Sequence, residues 1–241
     1  MFLSGEPIFS QKTSSSFAVS LDTFQLFDKS RQREIPIAIY KTQAKVNNQK
    51  IVIFSHGYGQ NKGKSYLTYS YLTEFLASKG YFVISIQHEL PSDSLLPLTG
   101  IPQIVRRPFW ERGADNILYV INQFKITNPQ LNFTNITLIG HSNGGDMVAL
   151  FSQKYPNIVR RIITLDNRRM ALPRTSNPRV YSLRSSDQPA DEGVLPSIEE
   201  QNAFKIKIIK LSNIKHNEMD NDANDYQRKE IQNYVLYFLE E

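Results

Sequence analysis

Cysteine is absent from the 241 residues. That excludes disulfides, thiolate catalysis and every metal site built on cysteine. Histidine is scarce, so any imidazole chemistry must use one of four residues: His56, His88, His141 or His216. No apolar run approaches the ~20 residues of a membrane span. The opening, Met1-Phe2-Leu3-Ser4-Gly5-Glu6-Pro7, has neither the basic region nor the apolar core of a secretion signal. As written it predicts a cytoplasmic protein, and a secreted one only if a signal has been removed. The net charge is +5, but basic residues never form a long run with interleaved aromatics. Arg106, Arg107 and Arg112 make one group, and Arg160, Arg161, Arg168 and Arg169 another. Nucleic-acid binding is therefore not expected.

Hydrophobic residues make up 40% of the chain and charged residues 21%, enough apolar surface for one core at this length. A single domain over 1–241 is expected, with a loose, Ser-rich lead-in over 1–16. Short apolar runs then alternate with longer amphipathic segments, the pattern of a mostly parallel sheet covered by helices on both faces. Strands are predicted at Phe17–Phe27 and Ile35–Tyr40, a hairpin at one sheet edge, and at Ile51–Phe54, Tyr81–Ile86, Ile136–Ile139, Arg161–Leu165, Arg179–Leu183 and Lys205–Leu211. Helices are predicted over 65–78, 109–124, 143–154 and 225–239. The stretch 87–108, with its prolines, reads as a long loop.

The sharpest signal is Gly140-His141-Ser142-Asn143-Gly144, which follows the run Ile136-Thr137-Leu138-Ile139 and opens a helix. In that strand–turn–helix context G-x-S-x-G thrusts a serine hydroxyl out of the backbone, while the glycines allow strand and helix to approach. Ser142 is thus a candidate nucleophile, and the backbone N–H of Asn143, at the helix N-terminus, a candidate oxyanion donor. The loop Ser55-His56-Gly57-Tyr58-Gly59 follows the third predicted strand, where a second donor is required; the N–H of Tyr58 is the candidate.

A serine hydroxyl needs a base. His56 lies in the oxyanion loop, and His141 points away from the serine on the bend. His216 follows the last strand, where the order serine, acid, histidine puts the base. His88 follows the fourth strand and is a lesser candidate for the cleft. For the acid, Asp187 at the end of the seventh strand is favoured over Asp166 at the end of the sixth, with Asp191 third. Arg168 and Arg169 lie beyond the sixth strand, where open α/β sheets build sites, and are candidates for an anionic substrate group. Leu95, Leu96, Leu98 and Ile101 are candidates for a cleft wall.

From Phe17 onward the chain resembles α/β-hydrolases of the dienelactone-hydrolase, cutinase-like polyesterase and platelet-activating-factor acetylhydrolase group. Asp28-Lys29-Ser30-Arg31-Gln32-Arg33-Glu34-Ile35-Pro36, Leu76-Ala77-Ser78-Lys79-Gly80-Tyr81-Phe82-Val83 and the later Gly-His-Ser-Asn-Gly-Gly carry the resemblance. It implies an eight-stranded α/β-hydrolase sheet. The acetylhydrolase branch resembles the chain at Leu165-Asp166 and takes its acid there; the other branches resemble it in the spacing of Asp187. Dienelactone hydrolases use cysteine where this chain has Ser142, so their lactone chemistry does not carry over.

About a dozen residues separate Asp166 from the next strand, too few for a large cap domain. Hydrolysis of a small or lipid-like carboxylic ester through an acyl-enzyme, without metal or organic cofactor, is the expected activity. A peptidase or acyltransferase on the same residues, or a binding protein on an inherited hydrolase fold, are the alternatives.

Overall fold

A computed structural model describes residues 16–241. The expected lead-in therefore lies, apart from Ser16, outside the described residues. The order of elements is β1 (Val19–Asp28), β2 (Arg33–Thr42), β3 (Lys50–Ser55), α1 (Ser70–Ser78), β4 (Phe82–Ile86), α2 (Pro102–Val105), α3 (Arg107–Thr127), β5 (Asn132–His141), α4 (Asn143–Lys154), β6 (Arg161–Leu165), β7 (Arg179–Arg184), α5 (Ile198–Phe204), β8 (Lys207–Lys210) and α6 (Asp225–Glu240). All eight strands join one sheet in the order β1-β2-β4-β3-β5-β6-β7-β8. β1 and β2 run antiparallel and the pairings from β3 to β8 are parallel.

The hairpin turns where Asp28 gathers the chain. Its Oδ1 accepts from the N–H and the hydroxyl of Ser30, at 3.0 and 2.7 Å, and its Oδ2 from Nε of Arg31 at 2.6 Å. The inner strands read as continuous apolar runs because both faces are covered. Along β3, Ile51 and Ile53 enter the core under α3 and α4, whereas Val52 and Phe54 enter the core under α1 and α6. Trp110 of α3 is wholly enclosed on the first side, and Phe238 of α6 on the second. Burial of this kind contributes on the order of 2–3 kcal/mol per large side chain, enough to fix which face each element presents.

Three details differ from the sequence expectation. The helix foreseen over 65–78 begins as a 3-10 turn at Ser65–Leu67 and becomes α-helical only at Ser70. The stretch 87–108 contains α2, which starts on Pro102, a residue suited to a first helical turn. Helix α5 was not foreseen; Ser197 caps it by accepting the N–H of Glu200, whose carboxylate returns to the N–H of Ser197. Its short sequence is mostly polar, so no 3.6-residue apolar stripe announces it. The link from β6 to β7 carries no helix, and there is no large cap domain. Among the described residues no helix is long and apolar enough to cross a membrane.

Candidate active site

Ser142 stands between the last residue of β5 and the first of α4 with φ 52° and ψ −119°, a conformation that L-residues rarely adopt. The bend is held by its own N–H, which donates to the carbonyl of Leu165 at 2.9 Å, and by its own carbonyl, which accepts from Asp146 at 3.0 Å. Close approach explains the flanking glycines. A Cβ on Gly140 would lie 2.3 Å from the carbonyl oxygen of Gly144, and one on Gly144 would lie 2.2 Å from that of Ser55. Neither clash can be relieved by a rotamer.

The imidazole of His216 reaches this hydroxyl from the turn after β8. Its Nε2 lies 2.9 Å from the Oγ of Ser142, and its Nδ1 lies 2.5 Å from Oδ2 of Asp166. An ionised carboxylate can only accept, so Nδ1 carries the proton and Nε2 is free to accept from the serine hydroxyl. The carboxylate that meets the ring is therefore Asp166 and not Asp187, which reverses the expected order.

The reason is local. Asp166 takes a left-handed turn, φ 54°, straight off β6, which swings its side chain inward. There it is fully buried and accepts from the N–H and hydroxyl of Ser185 at 2.9 and 2.7 Å, with the guanidinium of Arg184 at 2.8 Å. Burial would raise its pKa, but the hydrogen bond from His216, the Arg184 charge and the Ser185 donors prevail and hold it below the ordinary carboxylate value.

Asp187 is exposed and its Oδ1 accepts the backbone N–H of His216 at 2.8 Å. Asp191 is elsewhere, in an ion pair with Arg169.

The loop that follows β3 is tied at nearly every point. The N–H of Gly57 donates to the phenol oxygen of Tyr69 at 3.0 Å, and the Tyr69 hydroxyl donates to Nδ1 of His141 at 2.7 Å. His56 donates from Nδ1 to the carbonyl of Gly57 at 2.6 Å and accepts the N–H of His88 on Nε2 at 3.0 Å. The N–H of Gly59 donates to Oε2 of Glu89 at 3.0 Å. Between these, the N–H of Tyr58 has no hydrogen-bond partner among the described residues, and the same holds for the N–H of Asn143. The side chain of Asn143 is fixed: Oδ1 accepts from the indole of Trp110 at 2.9 Å, and Nδ2 donates to Oε1 of Glu89 at 3.3 Å.

The supporting histidines are neutral. Burial lowers His56 to about 4; burial, then the neighbouring His216, lowers His141 to about 3.

Beside Ser142 lies a cleft of about 380 Å³, lined by Gly57, Tyr58, Tyr69, His141, His216 and Asp220 among others. A larger groove, about 530 Å³, sits between the hairpin and α3 and carries none of the candidate site residues on its wall.

Other expected contacts fall outside the cleft. His88 is fully buried, with Nε2 2.9 Å from the hydroxyl of Ser55, so it cannot touch a substrate; this corrects its assignment to the cleft. Arg168 donates to Gln188 and to the carbonyl of Pro189 at 3.2 Å, and Arg169 pairs with Asp191. Neither lines the cleft beside Ser142. Leu96 is buried and its N–H donates to the Tyr58 hydroxyl at 3.0 Å, whereas Leu98 is 83% exposed and Leu95 and Ile101 are also exposed.

Tyr69, Glu89 and Trp110 were not foreseen at the site. Glu89 had one available signal, a carboxylate placed just beyond a fully buried strand.

Residues 50–191 match the alpha/beta hydrolase fold family, and the chain belongs to it. No curated protein matches. Solved structures share the fold at low identity. A dienelactone hydrolase-like promiscuous phosphotriesterase from metagenomic libraries is 13% identical, with a TM-score of 0.65 over 91% of this chain and 98% of its own. A bacterial heroin esterase is 14% identical, TM-score 0.62, over 88% and 81%. A thermostable esterase is 16% identical, TM-score 0.61, over 91% and 62%.

Proposed function

We propose that this protein is a serine hydrolase that cleaves carboxylic esters through an acyl-enzyme. The observation that carries the reading is one unbroken line of contacts, Ser142 Oγ to His216 Nε2 at 2.9 Å and His216 Nδ1 to Asp166 Oδ2 at 2.5 Å, set beside two unclaimed backbone N–H groups.

In this reading His216 removes the hydroxyl proton as Ser142 attacks the ester carbonyl. Asp166 holds the ring in the productive tautomer and stabilises the imidazolium. The N–H groups of Tyr58 and Asn143 receive the oxyanion, and the field of the α4 N-terminus adds to them. The imidazolium then protonates the departing alcohol. Water, activated by the same ring, releases the acid and restores the serine. The cleft beside Ser142 suits a small ester or one end of a lipid-like one.

The test is a fluorophosphonate probe with a panel of p-nitrophenyl esters and peptide anilides. Ser142 should label covalently and short esters should turn over. Ser142→Ala and His216→Ala should each abolish both, by about 10³-fold or more. A folded protein that does not label would return it to a binding role, and faster turnover of anilides than esters would make it a peptidase.

A further inference from the structure

We propose that Glu89 is a positioning residue for the oxyanion hole: its carboxylate ties Gly59, the neighbour of Tyr58, to the side chain of Asn143, and so sets the separation of the two donors. The inference rests on the ester-hydrolase reading. Glu89 is buried, with 2% of its surface exposed, yet it touches neither Ser142 nor His216. One oxygen accepts from the Gly59 N–H at 3.0 Å and the other from Asn143 Nδ2 at 3.3 Å. Its own carbonyl is held by Nε2 of Gln87 at 2.7 Å, so the backbone from which the carboxylate projects is also fixed.

Trp110 makes the arrangement one-way. The indole can only donate, and it donates to Oδ1 of Asn143 at 2.9 Å. The amide of Asn143 therefore cannot flip, and Nδ2 must face Glu89. The Gly59 N–H and the Asn143 amide converge on opposite oxygens of one side chain, with the Asn61 backbone beside them, and only an ionised carboxylate accepts on both oxygens. A glutamine, or a protonated glutamic acid, would turn a donor toward one of them and leave a buried N–H unpaired.

The charged groups around Glu89 are few. Arg112 of α3 supplies the nearby positive charge and is shared with Asp93 at 3.3 Å, which also binds Arg33 of β2. The adjoining His88 is turned to Ser55 and is neutral. Burial raises the carboxyl to about 7 against the opposing bonds from Gly59, Asn61 and Asn143 and the charge of Arg112. The clamp therefore loosens as pH falls through neutrality.

The experiment measures kcat, KM and fluorophosphonate labelling rate for the wild type, Glu89→Gln and Glu89→Ala between about pH 5.5 and 9, with circular dichroism to establish folding. Glu89→Gln should lower kcat about 10- to 100-fold, the scale of a displaced oxyanion donor, while KM moves less than about threefold. The acid limb of the wild type should lie at higher pH and fall more steeply than that of Glu89→Gln, because only the wild type carries the Glu89 carboxyl. A folded Glu89→Gln with wild-type kcat, labelling and acid limb overturns the proposal. A wild type that neither labels nor hydrolyses esters ends the ester-hydrolase reading and this one with it; a wild type that does both beside unaffected variants ends this one alone.

Discussion

Asp187 grips the main chain of His216: its Oδ1 accepts the residue's backbone N–H at 2.8 Å, while the ring turns away to Asp166. The two carboxylates thus act on different parts of one histidine. Asp166→Asn should lower kcat/KM on p-nitrophenyl acetate by about 10³- to 10⁴-fold, because an amide can leave the ring in the wrong tautomer. Asp187→Ala should cost less than about tenfold, since it removes one exposed backbone tie. Steady-state kinetics of the two variants side by side decide the matter, and the reverse ranking would contradict the geometry.

Tyr69 joins two parts of the site through one hydroxyl, accepting from Gly57 and donating to His141. Tyr69→Phe strands the Gly57 N–H and a buried ring nitrogen together. Each orphan costs about 1–3 kcal/mol, so Tm should fall by several degrees, roughly 2–4 °C per kcal/mol at this size. Because the Gly57 peptide precedes Tyr58, kcat should fall as well. Differential scanning fluorimetry with an ester assay reads both, and an unchanged Tm would remove the hydroxyl from the argument.

Gly144→Ala should be among the most damaging single substitutions. The new Cβ would meet the carbonyl oxygens of Ser55 and His56 at 2.2 and 2.5 Å, both backbone atoms of the neighbouring segment. Relief requires moving strand β3 against helix α4, at a cost of about 3 kcal/mol or more. Gly63→Ala is the control: φ is +78°, but nothing lies within 4 Å of the added carbon. Only the backbone penalty of about 1–2 kcal/mol remains. Denaturant midpoints of the two variants should differ in that order.

Stability should decline in acid, through opposing contributions. His56, His88 and His141 have folded pKa values below their ordinary 6.5 because they are buried. Below about pH 6.5 the unfolded chain takes up protons that the folded chain refuses, so stability drops with pH. Glu89 and Asp146 oppose this: burial raises them to about 7 and about 6. Between those values and their ordinary ones the folded chain holds protons that the unfolded chain has lost, so stability rises as pH drops there. The three histidines and the raised carboxyls, Asp220 among them, oppose one another from about pH 6.5 to 4.5 and leave stability changing little there. Below that the carboxyl contributions saturate, Asp166 begins to lose its ion pair, and stability falls. Thermal unfolding across about pH 4 to 8 should trace this curve, and a Tm that climbs steadily toward pH 4 would refute it.

Periodicity and punctuation made the sheet legible. Ile51-Val52-Ile53-Phe54 can only be a strand covered on both faces, and Gly140-His141-Ser142-Asn143-Gly144 states its own bend. Four histidines made His216 accessible by elimination. The acid was not accessible, because Asp166 and Asp187 end adjacent parallel strands and both stand beside His216. What separates them is a backbone twist at Asp166 and a cage made by Ser185 and Arg184, contacts between chain segments that local pattern does not encode. The clamp of Glu89, Asn143 and Trp110 was hidden for the same reason: its members come from the loop after β4, from α4 and from α3, far apart in sequence. For Arg168 and Arg169 the position at a strand's C-terminal end was visible, while their partners Gln188 and Asp191, on a later loop, were not.

The bare connection between β6 and β7 has a kinetic consequence. Any acyl group carried by Ser142 would stand where bulk solvent reaches it unassisted, at a concentration no competing alcohol or amine can match. On the ester-hydrolase reading, that favours transfer to water over transfer to a scarcer alcohol or amine.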